Sequence, residues 1–494
     1  MIKIINIYIE GHKYSRDLFE LARAFLGNQQ VKIIENIDTI GDKEYLIESR
    51  LEVTGNQCLS VTTLYRDNNM LEQLKENIND IKIDLFDRVR LQKHSIKKGI
   101  YNILSSLLNK QLPWGILTGI RPVKVVHELI DAKLSSDEVL KILKNEYRFM
   151  EEKAQLILDV ALSQRQYIYP RDGKRFSLYI NIPFCPSKCS YCSFPSFKIG
   201  MDSKIVEDYI QALLFEIEET KEMFKDKKLN TVYIGGGTPT SLKSNQLERI
   251  IKKIKEIFPD RIKEFTVEAG RPDTINREKL EMLKRYGVTR ISINPQTFNE
   301  KTLKIIGRDH GIKSIKTAYN LAKSLDFDII NMDIILGLPG EGIYELEETL
   351  NGLKSLNPEN LTVHTLSIKK GSRLHQSTDT DVNWEIEKML HRTILYSKSQ
   401  SYSPYYLYRQ KKILGNLENI GYTKAGKECL YNIAMMEEKE TIFAFGLGAV
   451  TKIYYPAEDK ILRIANFKSL HDYIDRISEL VHKKKDINFN LYKN

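Results

Sequence analysis

From residue 175 to about residue 370 a single unit recurs: a short β-branched strand, a turn, then an amphipathic helix. The strand-like runs are Ser177–Ile182, Thr231–Ile234, Glu264–Glu268, Arg290–Ile293, Ile329–Leu336 and Leu361–Leu366. Helical patterns separate them over Asn245–Phe258, Arg277–Tyr286, Ser314–Leu325 and Tyr344–Leu356. In the first, Ile250, Ile251, Ile254 and Ile257 recur at helical spacing, with Asn245 as the expected cap and Glu248 three residues on. Alternation of this kind requires right-handed crossovers and a parallel sheet, so the fold class is α/β. Six such units close partly into a barrel, whose site lies at the C-terminal ends of the strands.

The chemically unusual residues fall at those ends. After the first strand comes Cys185-Pro-Ser-Lys-Cys189-Ser-Tyr-Cys192, and after the second Gly235-Gly-Gly237-Thr238-Pro239. Glu268-Ala-Gly270-Arg271 follows the third, Pro295-Gln296 the fourth and Gly337-Leu-Pro339-Gly340 the fifth. The C-x3-C-x2-C run supplies three thiolates, one fewer than a tetrahedral structural zinc or a saturated iron–sulfur cluster needs. Either a distant His completes a zinc site, or the cysteines are core residues, or a [4Fe-4S] cluster keeps one iron open for an outside ligand. The other cysteines are Cys58 and Cys429, and an odd total of five without an export leader fits a reducing cytosol rather than a disulfide framework. Three successive glycines let backbone N–H groups approach a ligand, and Thr238 adds a hydroxyl.

A chain of 494 residues exceeds one ordinary core. Residues 1–165 read as an α+β domain with a helical connector: strands Ile2–Ile9, Tyr45–Val53 and Leu59–Tyr65, a helix over Arg16–Leu26, and helices from about Leu71 through Ser163. The partial barrel is expected over 170–370. Residues 371–494 read as a mostly helical, loop-rich cover with a tyrosine cluster and a lysine-rich tail. No apolar run reaches the roughly 18 residues of a membrane span. The net charge of +10 is spread along amphipathic segments, which describes a solvated basic surface, with an anionic ligand or nucleic acid as alternatives.

Taken together, the cysteine spacing and the glycine turn resemble the radical S-adenosylmethionine (SAM) superfamily. The resemblance implies that Cys185, Cys189 and Cys192 hold a [4Fe-4S] cluster whose open iron binds the methionyl group of SAM. It further implies a 5′-deoxyadenosyl radical as the agent of the reaction and a low-potential electron donor such as flavodoxin or ferredoxin. Tyr179-x-x-Ile-Pro-Phe-Cys185, Arg290-Ile-Ser292-Ile-Asn294-Pro-Gln296, Gly307-Arg308, Asp333 and Gly337-Leu-Pro339 resemble the oxygen-independent coproporphyrinogen III dehydrogenase family. By that match Tyr179, Gly235, Gly236, Thr238, Glu268, Gln296, Arg308 and Asp333 contact SAM, with Tyr179, Glu268 and Arg308 closest to the chemistry. Glu268 and Asp333 would accept ribose or adenine hydrogen bonds, and Arg308 would meet a carboxylate.

Leu112-Pro-Trp114-Gly115 through Arg121-Pro122, and Tyr405-Tyr406-Leu-Tyr408-Arg409-Gln410 with Gly415-Asn416-Leu-Glu418-Asn419, are similar to the HemZ-type branch of that family. Read physically, the first is a turn-rich junction loop. The second is a wall of aromatics and amides suited to a planar anionic ligand. The implied substrate is coproporphyrinogen III, decarboxylated oxidatively to protoporphyrinogen IX, and Lys369, Lys370, Arg373 and Arg409 are the candidate partners of its propionates. Two departures stand out: Phe194 replaces a fourth cysteine, and Asn181 replaces a histidine four residues before the first. They leave the cluster intact but keep a haem-trafficking protein open as the function, and the basic charge with the separate N-terminal domain keeps open an RNA-modifying radical enzyme. Nucleic acid is not among the expected partners, since Cys58 and Cys429 make no second cluster.

Overall fold

The computed structural model describes residues 4–27, 30–37, 44–55, 57–80, 83, 87–200, 203–260, 262–369, 371–376 and 385–487. It divides into two compact units, Met1–Ala161 and Leu162–Asn494.

The first unit is built on β1 (Ile5–Glu10), α1 (Ser15–Leu26), β2 (Val31–Ile34), β3 (Tyr45–Thr54), β4 (Gln57–Arg66) and β5 (Asn69–Asn77). Its sheet runs β2-β1-β3-β4-β5, with β1 parallel to both neighbours and β3 to β5 an antiparallel meander. The expectation of helix from Leu71 fails, because 71–77 belong to a strand. Asp67 and Asn68 both take positive φ (51° and 61°), as a two-residue hairpin turn requires. Leu71 and Leu74 stand three residues apart, a spacing that a helix also uses and that does not by itself separate strand from helix. Helix begins at α2 (Arg88–Leu108), where Asp87 Oδ1 accepts the Arg90 N–H at 2.8 Å. Then come α3 (Val123–Asp131), α4 (Ser136–Asn145) and α5 (Glu151–Ile168), within which the division between the units falls. Trp114 is buried edge-on to Phe149 in the first unit's core.

The second unit opens with β6 (Arg175–Ile182), the short pair β7 (Phe184–Cys185) and β8 (Phe197–Lys198), and α6 (Ser203–Glu219). The barrel repeat follows as β9 (Lys228–Gly236), α7 (Ser244–Ile257), β10 (Glu264–Glu268), α8 (Arg277–Arg285), β11 (Arg290–Ser292), α9 (Glu300–Ile305) and α10 (Ile312–Ser324). It ends with β12 (Ile329–Leu336), α11 (Ile343–Leu356) and β13 (Asn360–Thr365). Six strands, β6-β9-β10-β11-β12-β13, pair in parallel and in sequence order, the expected α/β partial barrel. Helix α7 buries Leu247, Ile250, Ile251 and Ile254 on one stripe. Its start is Ser244 rather than Asn245, and Gln246 Oε1 accepts the Lys243 N–H.

Beyond residue 371 the chain forms α12 (Ile386–Ser399), β14 (Ser403–Tyr408), β15 (Asn419–Thr423), α13 (Leu430–Glu437), β16 (Thr441–Phe445), β17 (Val450–Tyr455), β18 (Lys460–Ala465), α14 (Leu470–Asp475) and α15 (Ile477–Lys485). The helices are those of the expected helical region, which among the described residues also holds five strands. Strand β16 lies parallel to β6, and β15 antiparallel to β13, so the barrel sheet is extended at both ends. The lysine tail is not all surface. Lys484 Nζ sits buried 2.6 Å from both Glu216 Oε1 and the Ala444 carbonyl, and Tyr473 and Asn466 also donate to Glu216.

Candidate active site

At the C-terminal ends of the six strands lies a cavity of about 340 Å³. Its first wall is the loop between β7 and β8. The Thr238 N–H donates to the Phe184 carbonyl (2.7 Å) and Gly237 N–H to Ile182 (2.8 Å), so the glycine turn grips the chain just ahead of Cys185. Cys185 Sγ lies 3.4 Å from Thr238 Oγ1. Farther along, Cys192 N–H closes on the Cys189 carbonyl, and Ser190 N–H donates to Ile306. All three thiols line the cavity and no fourth cysteine does. Burial pushes the Cys185 and Cys192 thiols up, so a metal must displace their protons to bind. Among the described residues no three Cys, His, Asp or Glu side chains are drawn into a closed ligand group.

Cys58 and Cys429 lie elsewhere, both buried. Cys429 Sγ donates to Glu264 Oε1 at 3.3 Å, and Gln92 Nε2 meets Cys58 Sγ at 3.5 Å.

The glycine turn has a second constraint besides ligand approach. Gly236 has φ of +109°, and a Cβ there would stand 1.8 Å from Asn181 Oδ1. Asn181, the replacement for the family histidine, donates to the Leu447 carbonyl (2.6 Å) and accepts from Tyr179 (3.1 Å), tying β6 to the β16–β17 turn. Phe194, at the fourth-cysteine position, lines the rim and is 62% exposed.

Of the expected SAM contacts, Gly236, Thr238, Glu268, Gln296, Arg308 and Asp333 line this one cavity with the cysteines, whereas Gly235 and Tyr179 do not. A Cβ on Gly235 would meet Tyr233 and Glu268 at 2.8–2.9 Å, so its role is to let those two side chains pack. Tyr179 lies behind, stacked on Tyr431 (6.1 Å between centroids), which in turn stacks on Tyr233 (4.4 Å). Tyr233 OH donates to Glu268 Oε1 at 2.5 Å. Burial raises the Glu268 carboxyl to about 7 despite that bond. Asp333 moves the other way: burial opposes it, but bonds from His364 and Asn331 hold its carboxyl below the usual range. His364 Nε2 lies 3.6 Å from Asp333 Oδ2, and Asn331 Nδ2 lies 2.7 Å from Oδ1.

Gln296 adopts φ of +68° and bridges β11 to β12, its N–H donating to Asp333 and its carbonyl accepting from Ile335. Arg308 is buried. Its guanidinium donates to the carbonyls of Asn294 (2.5 Å) and Gly270 (3.2 Å) and to Tyr191 OH (3.1 Å), all neutral groups. Gln296 Oε1 and Asn294 Oδ1 are buried without a hydrogen-bond partner, which an N–H- or O–H-bearing ligand would satisfy. A three-thiol loop, an arginine with no carboxylate partner among the described residues and orphaned acceptors fit a cluster with SAM beside it.

The same cavity is lined by Tyr406, Tyr408, Gln410, Asn419 and His364. Tyr406 and Tyr408 stack in parallel (6.4 Å, 5°), and Tyr408 OH meets His364 Nδ1 at 3.2 Å. Gly421 leaves room for the Tyr406 ring, where a Cβ would stand 1.7 Å from it. Of the three expected propionate partners among the described residues, Lys369 alone lines the cavity. Arg409 is buried, donating to Asn416 and to the Leu417 carbonyl. Arg373 is exposed outside the lining, and Lys370 lies outside the described residues.

Sequence reasoning missed Asn331 and His364, and placed Tyr191 and Arg271 in rim motifs without assigning them a role. Alternation could have found the first two: Asn331 precedes Asp333 by two on β12 and so shares its face, and His364 follows Thr362 by two on the neighbouring strand.

Residues 179–353 match the radical SAM superfamily. The oxygen-independent coproporphyrinogen-III oxidase-like protein HemZ of Bacillus subtilis is 40% identical over 402 residues, covering 79% of this chain and 80% of that one. The heme chaperone HemW of Escherichia coli is 32% identical, covering 58% of this chain and 72% of its own. In fold, the chain is similar to the radical SAM enzyme coproporphyrinogen III oxidase HemN of E. coli, with a TM-score of 0.53 and 22% identity over 65% of this chain and 73% of that one. Three cysteines, a glycine turn and a parallel-stranded rim thus belong to a family with its own cofactors: the chain is a member of the radical SAM superfamily, in its coproporphyrinogen-oxidase-like family, and its cofactors are a [4Fe-4S] cluster and SAM.

Proposed function

We propose that the protein oxidatively decarboxylates coproporphyrinogen III to protoporphyrinogen IX. The observation that carries this reading is that one cavity is lined both by the cysteine loop and by the stacked Tyr406–Tyr408 pair with Gln410 and Asn419. Names of similar proteins support the substrate class, since HemZ is called coproporphyrinogen-III oxidase-like and HemN a coproporphyrinogen III oxidase.

The bound cluster and SAM would supply a hydrogen-abstracting radical. Cys185, Cys189 and Cys192 would hold the cluster. Arg308, with no carboxylate of its own, would pair with the SAM carboxylate, and Glu268 and Asp333 would accept from its ribose and adenine. Gly236 and Thr238 would bring backbone N–H and hydroxyl groups to its methionyl end. Lys369, lowered in pKa by burial and facing the cavity, would bind one propionate. Each reacting propionate would lose a β-hydrogen, CO2 and one electron, leaving a vinyl group. The electron reaching the cluster would come from a low-potential carrier such as flavodoxin or ferredoxin.

A second reading is favoured by a specific observation. Phe194 stands exposed where a fourth cysteine is expected, and several similar proteins are heme chaperones, so haem binding without turnover is the competing function. The test is an anaerobic assay of the reconstituted protein with reductant, SAM and coproporphyrinogen III. Vinyl-bearing porphyrin product together with 5′-deoxyadenosine supports the enzyme. Tight haem binding with neither product overturns it.

A further inference from the structure

Cys189 is the most buried thiol of the three, and one guanidinium is aimed at it from a residue outside the expected SAM contacts. Arg271 follows the end of β10 at the turn Pro272–Thr274. That turn folds back because Thr274 donates to the Arg271 carbonyl from both its N–H (2.9 Å) and its hydroxyl (2.7 Å). The fold-back brings Asp273 under the Arg271 fork. Nε reaches Oδ1 and Nη2 reaches Oδ2, both at 2.9 Å, a bidentate pair. His310 Nδ1 lies 3.4 Å from the same carboxylate and backs it. With two nitrogens fixed, the third has one direction left. Nη1 donates to Ser187 Oγ at 2.9 Å and stands 4.0 Å from Cys189 Sγ. The side chain is 4% exposed.

We propose that Arg271 is a positioning residue that sets the redox level of the cluster. Its guanidinium, oriented by Asp273, favours the more negative, reduced state. The physics is that of charge beside charge in a medium that screens poorly. Reduction adds one electron to a group ligated by three thiolates, and a positive donor next to Cys189 lowers the cost of that added negative charge. Cluster potentials respond to net charge, to hydrogen bonds at sulfur and to solvent exposure, and Arg271 acts on the first two. Arg308, an expected SAM contact, is the other cation near this loop and also interacts with Cys189, while its terminal N–H groups donate to Asn294, Gly270 and Tyr191; Arg271 differs in having its guanidinium fixed by a carboxylate fork. Asp273 has a double part: it locks the guanidinium in place, and its own charge offsets some of the guanidinium's. The assignment does not depend on which tetrapyrrole the cavity takes.

The two side chains therefore make opposite predictions. In the reconstituted full-length protein the midpoint of the cluster is titrated against redox dyes, with the reduced form followed by electron paramagnetic resonance. Arg271→Met is expected to move it to more negative potential by at least a tenfold change in the reduced-to-oxidised ratio, about 59 mV for one electron. Asp273→Asn leaves the guanidinium uncompensated and is expected to move it to more positive potential. Arg271→Lys, which keeps the charge without the fork, is expected between wild type and Arg271→Met. Iron and sulfide contents identify variants that hold the cluster. If Arg271→Met does not hold it, the sign in Asp273→Asn decides, and no shift or a negative one overturns the proposal. Equal or same-direction shifts in the Met and Asn variants also overturn it, because a merely structural role predicts that pattern.

Discussion

Glu268 is a carboxyl that the fold holds against its own ionisation, and removing its charge should stabilise the apo-protein while weakening SAM binding. Buried beside Tyr233 and in the field of Asp333, it titrates near 7. In the unfolded chain the same group gives up its proton near pH 4.3, so the difference of about 2.7 units corresponds to roughly 3–4 kcal/mol. The sign follows from proton counting. Between the two values the folded protein keeps a proton that the unfolded chain has lost, so stability is fully present below about pH 4 and is lost as pH rises through 7. Glu268→Gln cannot ionise and still offers Tyr233 an acceptor. At pH 8 it should exceed wild type by up to about 3 kcal/mol, and at pH 4 the two should coincide. The measurement is the urea midpoint of the apo-protein from pH 4 to 8, with hydrogen exchange in β10 identifying the transition that contains the barrel. SAM affinity, measured by equilibrium dialysis at pH 8, should fall at least tenfold, since a charged acceptor has been replaced by an amide. Parallel stability curves for variant and wild type across the whole range would refute the reasoning, because they would mean that Glu268 is not held protonated by its burial.

Three further outcomes follow from packing and charge. Gly236→Ala forces a Cβ onto Asn181 and a side chain into φ of +109°, so SAM binding should be lost, with about 1–3 kcal/mol of backbone strain in the folded state. Adding Asn181→Ala relieves the clash but not the strain, and dialysis should show only partial recovery. Cys189→Ala should abolish cluster absorbance and SAM cleavage while Cys429→Ala, whose thiol bonds Glu264 away from the cavity, spares both; equal loss would show the three-thiolate assignment to be wrong. Lys484→Met strands the buried Glu216 carboxylate and should cost about 3–5 kcal/mol, lowering the thermal midpoint, with much of the loss restored by adding Glu216→Gln. Full stability in the single variant would show that Tyr473, Asn466 and the Gly446 N–H satisfy Glu216 without the lysine.

How much of this was legible depends on what each residue's neighbours in sequence reveal about its face. Strands Glu264–Glu268 and Ile329–Leu336 were readable to the residue, because a buried parallel strand between helices leaves a short β-branched run with sharp ends. Thr441–Phe445 has the same character, yet nothing in the sequence says that it lies beside β6, more than 250 positions earlier in the chain. The hairpin at Asp67-Asn68 carries a turn signal that the helical reading from Leu71 did not use. At the site, the cysteines and the glycine turn were legible because their chemistry is local. Arg409 was not, because a cation's use depends on which side of its strand end it faces, and here it faces the Asn416–Leu417 backbone. Strand alternation supplies that missing information wherever one residue of a face is already assigned. Asp333 implies Asn331, and the hydrogen bond from Asn331 to Ser292 on β11 and the one it accepts from Thr362 on β13 extend the same face across three adjacent strands to His364. The unread half of the site was therefore one periodicity argument away from the half that was read, whereas Arg271 was not: its aim at Cys189 is set by the Asp273 fork, and a fork of that kind is a property of the folded turn.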